Sequence, residues 1–329
     1  KPNNIYRLIL AYLLWSETEY KKFEEFQGIK VADIITKLKK GTVPTKAFEH
    51  SIPDWLVETL EKELGENWEK EMIALNEQAP TILRANSLKT STKHLIEELK
   101  HENVESFQVP GFENAVQLEE KKNVFLTSAF KDGLFEVQDA GSQKIGEFLD
   151  VKPGMRVVDA CAGAGGKTLH LAALMENKGQ IIAMDIHGWK LAELKRRAKR
   201  AGAHNIETRE ITDNKVIKRL HEKADRLLID APCSGLGVLK RNPDSKWKID
   251  QDFIDRIRKE QETILQDYSK IIKKGGKMVY ATCSILPSEN NEQVENFLKN
   301  NPDFKLVKEE KVMPSTGFDG FYMALIERV

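Results

Sequence analysis

The sequence predicts an α/β protein built on a doubly wound, Rossmann-like sheet, preceded by a small α+β module and an N-terminal helical segment. Three observations carry that reading. The stretch RVVDACAGAGGKT, residues 156–168, is an apolar run ending in an acid, then a glycine-rich turn, then a helix start. That is the opening of a nucleotide-type βαβ unit. From residue 134 onward, strand-like runs alternate with helical ones, which argues a sheet covered by helices on both faces. Several of those runs end in an acid or a cysteine, and ligands in such sheets sit beyond the carboxyl ends of the strands.

Residues 1–75 read as the helical segment. Ile5, Leu8, Ile9 and Tyr12 recur at helical spacing, as do Ile52, Trp55, Leu56 and Leu60, with Gly41, Pro44 and Pro53 between them. Asp54, after a proline and before an apolar run, is a candidate helix cap. The apolar stretch 8–15 is too short to span a bilayer. Acidic SETEY follows it where a signal peptide would carry small residues. No membrane association is expected, and no chemistry is assigned here.

Residues 76–133 change texture. Residues 81–88 are strand-like, 91–100 are helical with Leu95, Ile96 and Leu99 on one side, and 105–109 and 115–118 read as short strands. The order is βαββ, an RRM-like module. Residues 134–329 form the large domain, with strands expected at 156–159, 180–185, 206–211, 226–230, 277–282 and 321–326. The clearest helix is 253–273, its apolar stripe running from Phe253 through Ile257, Ile264, Leu265 and Tyr268 to Ile272. Gly275-Gly276 is expected to end it as C-terminal glycines do.

The strand ends hold the chemistry. Strand one ends in Asp159 and the glycine turn, strand two in Asp185, where an acid commonly holds ribose hydroxyls. Asp213 lies just past strand three. Asp230 ends strand four and is followed by Ala-Pro-Cys233-Ser, and strand five ends in Thr-Cys283-Ser. Lys167 opposes the dipole of the helix it opens by about 0.3–1 kcal/mol, so it should face an anion. A phosphate-binding loop would need G-x-x-x-x-G-K-[ST]. Gly166-Lys167-Thr168 fits its end, but Cys161 stands at its first glycine. A dinucleotide loop would need G-x-G-x-x-G, where the chain offers Gly163-x-Gly165-Gly166. Neither explains two cysteines at neighbouring strand ends.

The stretches CAGAGGKT, DAPCSGLGVLKRNPDSKW and YATCSILPSENNEQVENFL, with LRANSLK and FEVQDAGSQ upstream and FDGFYMALI downstream, resemble the RNA cytosine-C5 methyltransferases of the Nop/Sun family. Gly163-Ala164 stands where that family commonly carries Ala-Pro. The resemblance implies S-adenosylmethionine as cofactor, held by Cys161, Ala162, Gly163, Ala164, Gly165, Gly166 and Lys167. Asp185 would take the ribose hydroxyls, Asp213 the adenine amino group, and Asp230 would stand between cofactor and cytosine. It further implies Cys283 as the nucleophile and Cys233 as the thiol that assists product release.

The chemistry suits those residue types. Cytosine C5 is a poor nucleophile, and adding a thiolate at C6 turns C5 into an enamine carbon, splitting one hard step into easier ones. A cysteine serves because its thiolate is strongly nucleophilic. A donor at N3 would meet the developing charge, and Asp230 would have to hold a proton to supply it. The C5 proton must then leave to a base before the enzyme is eliminated.

RNA, ribosomal by resemblance, is the expected partner. The chain has 329 residues, 31% of them charged, and a formal net charge of zero, so any nucleic-acid surface must be local. Arg241 and Lys246 lie in a basic loop beside Trp247 and near the cysteines, where phosphate contact and base stacking are expected. Lys190, Lys195, Arg196, Arg197, Lys199 and Arg200 form a run expected to be a solvated helix face. Arg84 and Asn86, on the first strand of the small module, suit either a solvated or an RNA-facing surface. Three cysteines without C-x-x-C spacing argue against a disulfide framework and a structural zinc, and for a reducing cytoplasm. No metal and a monomer are expected.

Overall fold

The computed structural model describes residues 2–16, 26, 29–39 and 45–329. It divides into two compact units, residues 1–51 and 52–329. In the first, α1 (Pro2–Trp15), α2 (Val31–Lys39) and α3 (Lys46–Glu49) are helical. Leu10 of α1 is buried while Ile9, Tyr12 and Trp15 are exposed, so apolar side chains stand on both sides of α1. Gly41 and Pro44 lie outside the described residues.

The second unit opens with α4 (Asp54–Leu64) and α5 (Trp68–Leu75). Asp54 is not the cap. Pro53 takes that position, and Asp54 stands in the first turn with no capping hydrogen bond, where an acid still complements the dipole. Leu56, Leu60, Trp68, Met72 and Leu75 share one core with Leu236, Leu239, Ile285 and Leu286. These helices therefore buttress the segments that follow the two cysteines.

The small sheet comes next, with β1 (Ile82–Ala85), α6 (Thr92–His101), β2 (Ser106–Gln108), β3 (Ala115–Leu118), α7 (Ser128–Lys131) and β4 (Phe135–Val137). The βαββ expectation is short by one helix and one strand, because β4 pairs back against β1 and the antiparallel order is β2-β3-β1-β4. Three residues are too few to show an alternation in sequence.

The large sheet follows with α8 (Ala140–Phe148), β5 (Arg156–Asp159), α9 (Gly166–Leu174), β6 (Gln180–Asp185), α10 (Gly188–Ala201), β7 (Ile206–Glu210), α11 (Asn214–Lys218), β8 (Ala224–Asp230), α12 (Gln251–Tyr268), β9 (Ile272–Thr282), α13 (Asn291–Asn300), β10 (Phe304–Val312) and β11 (Phe321–Arg328). Its order is β10-β11-β9-β8-β5-β6-β7. β5 to β9 run parallel, and β11 is antiparallel to both neighbours.

Two expectations fail here. The helix at 253–273 ends at Tyr268, and Gly275-Gly276 lie inside β9 rather than at a helix end. The register against β8 shifts between Ala224 and Arg226. Gly275 has φ +76°, and a Cβ on Gly276 would lie 3.1 Å from the Asp225 carbonyl oxygen. The glycines thus mark a bulge, not a stop. Strand β10 is absent from the expected set because FKLVKEEKV is mostly exposed along its length. A charged sheet edge reads as polar chain.

Candidate active site

The carboxyl ends of β5, β6 and β8 open onto a crevice of about 390 Å³. Its wall includes Cys161, Gly163, Asp185, Ile186, Asp230 and Tyr268. The turn after β5 is shaped by backbone. Gly163 has φ +55°, and nothing lies within 4 Å of the Cβ it lacks, so its face is free for a ligand. Its N–H donates to Asp185 Oδ2 at 2.9 Å, and the His187 N–H donates to Asp185 Oδ1 at 2.8 Å. Both carboxylate oxygens keep a lone pair for further donors. Ala162, buried behind the turn, donates to the Met184 carbonyl at 2.8 Å. Gly165, at φ +89°, caps α9 in a left-handed conformation.

The turn is held from behind by guanidinium groups. Arg84 donates to the Gly166 carbonyl at 2.8 Å, and Arg197 to the Ala164 carbonyl at 2.8 Å. Glu136 on β4 pairs with Arg197 at 2.9 Å and Arg200 at 2.5 Å. Arg84 is thus neither solvated nor RNA-facing. Asn86 is also buried, its amide donating to the Gly133 and Ala201 carbonyls at 2.8 Å each. Arg197 and Arg200 likewise depart from the solvated run expected of them. A polar strand facing a second domain looks in sequence like one facing water.

Lys167 finds its anion within the chain. Its Nζ donates to Asp230 Oδ2 at 2.7 Å. Burial works against the ammonium, but the negative groups around it, Asp230 first and then Cys283 and Asp159, together raise the Lys167 pKa. Asp230 accepts a hydrogen bond here, and the proton-donating role expected for it is not the one this geometry holds. Asp159, buried, accepts the Thr168 hydroxyl at 2.7 Å, and burial pushes its carboxyl up to about 7. Burial also raises the Cys161 thiol well above its ordinary value, which suits a packing group in the turn.

Beyond Asp230 the two remaining cysteines meet. Cys233 Sγ and Cys283 Sγ are 3.2 Å apart, and the Cys283 backbone N–H donates to Cys233 Sγ at 3.3 Å. The hydrogen bond to Cys283, then burial, hold the Cys233 thiol well above its ordinary pKa. β8 and β9 are adjacent and parallel, with Asp230 opposite Ala281. Short turns after paired residues therefore bring the thiols together beside Asp230.

Three expected residues sit elsewhere. Asp213 is exposed and caps α11 by accepting the Lys215 N–H at 2.7 Å, while Ile211 faces the crevice instead. Arg241 is committed to Asp139 at 3.0 Å and Asp319 at 2.5 Å, both buried. Lys246 is 5% exposed, and its Nζ donates to Asn76 at 3.1 Å. A basic loop over buried acids has the composition of a basic loop over phosphates. Trp247 stays exposed. Sequence reasoning missed Ile186, Ile211 and Tyr268. The first two stand directly after strands β6 and β7, a position that could have found them; Tyr268 was counted only as helix core.

The crevice fits S-adenosylmethionine by its donor set: an acid for ribose hydroxyls, apolar Ile186 and Ile211 for an adenine face, and an open glycine turn. Strand order, reversed last strand and crevice together are those of the Rossmann-like fold shared by S-adenosylmethionine-dependent methyltransferases. The chain belongs to the 16S rRNA methyltransferase RsmB/F family, whose model matches residues 147–326; the family's ferredoxin-like domain matches residues 52–125. It is 36% identical over 290 residues to a probable ribosomal RNA small subunit methyltransferase B of Synechocystis, covering 87% of this chain and 63% of that protein. It is 33% identical to ribosomal RNA small subunit methyltransferase B of Proteus mirabilis, covering 84% of this chain and 65% of the relative. The chain thus spans just under two thirds of these relatives. A crystal structure of a methyltransferase homolog from Pyrococcus horikoshii superposes with TM-score 0.76 at 27% identity, over 86% of this chain and 98% of that one. Among the described residues, no helix is long and apolar enough to cross a membrane, and no group of three or more His, Cys, Asp or Glu could hold a metal ion.

Proposed function

We propose that the protein methylates cytosine C5 in RNA, ribosomal RNA being the substrate its relatives are named for, through a covalent adduct between Cys283 and cytosine C6. The observation that carries this is the contact of Cys233 and Cys283 beside Asp230. That carboxylate is also bound by Lys167 from the glycine turn and lines the crevice, so the site for the methyl donor and the thiol pair adjoin at Asp230.

Bound S-adenosylmethionine supplies an electrophilic methyl group. Asp185 and the Gly163 face would orient it, and Asp230 with Lys167 would border both it and the flipped cytosine, whose C5 and C6 are shielded while it is stacked. Cys283 adds to C6 as the thiolate, which leaves C5 nucleophilic. Cys233 is kept as a thiol by its hydrogen bond to Cys283 and its burial. In the role the family resemblance gives it, Cys233 would serve release: the C5 proton leaves to a base, the C5–C6 double bond re-forms and Cys283 is expelled as the thiolate.

Incubation with labelled S-adenosylmethionine and cellular RNA, followed by mapping of methylated cytosines, tests the reading. Label should appear at cytosine C5; no label in any RNA would sink it. Cys233→Ala should accumulate a covalent RNA adduct and Cys283→Ala should form none. The reverse result would exchange their roles.

A further inference from the structure

One buried carboxylate with no part in the scheme above touches both thiol turns. Glu289, just ahead of α13, is fully buried. One carboxylate oxygen accepts the Ser284 hydroxyl at 2.6 Å; the other accepts the Ser234 N–H at 2.8 Å and the Gln261 side-chain amide at 3.0 Å. Ser234 and Ser284 directly follow Cys233 and Cys283, and their hydroxyl oxygens lie 3.1 Å apart. Gln261 also donates to the carbonyl of Pro232, ahead of Cys233, at 2.9 Å. A carboxylate suits this place because it accepts from three donors and presents none.

The sheet alone does not fix the thiols. Pairing of β8 with β9 runs to Asp230 and Ala281, with one more bond from the Ala231 N–H to the Ala281 carbonyl at 2.8 Å. Cys233 and Cys283 stand beyond it, on turns that leave for different elements.

We propose that Glu289 is a positioning residue for the thiol pair, its carboxylate tying the Pro-Cys-Ser and Thr-Cys-Ser turns together and so fixing the Cys233–Cys283 contact. Its consequence for catalysis rests on the methylation reading; the geometry it sets exists without RNA. The hydrogen bond Cys233 shares with Cys283, then burial, raise the Cys233 pKa, and the Glu289 charge acts in the same direction.

The test uses the full chain without RNA or cofactor. Diamide oxidises the two thiols to one S–S bond, and the two protons and two electrons reduce the diazene to a hydrazine. The rate of the Cys233–Cys283 cross-link is followed by mass spectrometry. Glu289→Gln, which turns an NH2 group toward one or two of the three donors, should slow the cross-link about tenfold. It should also lower kcat for methyl transfer by a similar factor, with RNA KM and cofactor Kd held within about twofold. A folded Glu289→Gln protein that cross-links at the wild-type rate overturns the proposal. If that variant does not fold, Ser284→Ala, which removes one of the three donors, should still slow the cross-link about threefold, and a wild-type rate again overturns it. Slower cross-linking in the variants, with no RNA adduct in the wild type, would sink the methylation reading and uphold the positioning role.

Discussion

The turn after β5 and the turns after β8 and β9 meet at Asp230, yet they are made from different material. The first is nearly all backbone: Gly163 and Gly165 in left-handed conformations, amides turned to Asp185, and carbonyls held from behind by Arg84 and Arg197. The second is side chain bound to side chain, with Ser234, Ser284, Gln261 and Glu289 all buried around the thiols. A ligand that must approach the main chain requires side chains to be cleared away. Reacting atoms that are themselves side chains must be fixed by others. The cofactor turn should therefore be broken by added atoms, and the thiol turns by lost hydrogen bonds.

Asp159 is the exception in the first region, a buried carboxylate beneath a backbone turn, and it should give the largest effect. Its carboxyl is pushed up to about 7 by burial, above its value in the unfolded chain. The folded state then holds a proton that the unfolded state has lost, so stability falls as pH rises from about 4 to about 7 and is level above that. The cost reaches up to roughly 4 kcal/mol. Asp159→Asn keeps an acceptor for Thr168 and should flatten this part of the pH profile in urea unfolding. An unchanged profile would assign the slope to other groups.

Next is the bridge. Lys167→Met unties Asp230 from the cofactor turn and should lower single-turnover methyl transfer by about 10²–10³, the usual result of losing one charged donor at a reacting centre. Cofactor Kd should change far less. A variant that lost only cofactor affinity would place Lys167 wholly with the crevice.

Gly165→Ala should cost about 2 kcal/mol, because an L residue at φ +89° is strained and its Cβ would lie 2.5 Å from Leu194 Cγ. Gly163→Ala, with open space around it, should cost about 1 kcal/mol in chemical unfolding. Its new methyl group should instead weaken cofactor binding in calorimetry. Equal stability losses at the two glycines would erase the distinction between framing the turn and facing the ligand. The smallest effect belongs to Asp213→Ala, which removes the cap of a five-residue helix and should cost about 1 kcal/mol or less. Cofactor affinity should hold, and a large loss in calorimetry would return Asp213 to the adenine.

Strands β5 and β6 were legible to the residue, since each is a short apolar run between sharp turn signals. The end of α12 was not, because its apolar stripe continues into β9 and a glycine pair can end a helix or bulge a strand. Cys233 and Cys283 stood out as candidates because cysteine is rare here and both follow strand ends. Glu289 did not, since one glutamate among many carries no local mark.

The sequence by itself determined the strand–turn–helix order and placed acids and thiols at the carboxyl ends of the strands. Those are consequences of local periodicity and of glycine's freedom at positive φ. Tertiary structure alone decided which charges meet: Lys167 with Asp230, Arg84 and Arg197 with the cofactor turn, Arg241 with two buried aspartates, Glu289 with both thiol turns. An unpaired charge is costly to bury, so its partner fixes where it can sit, and that partner comes from a distant part of the chain.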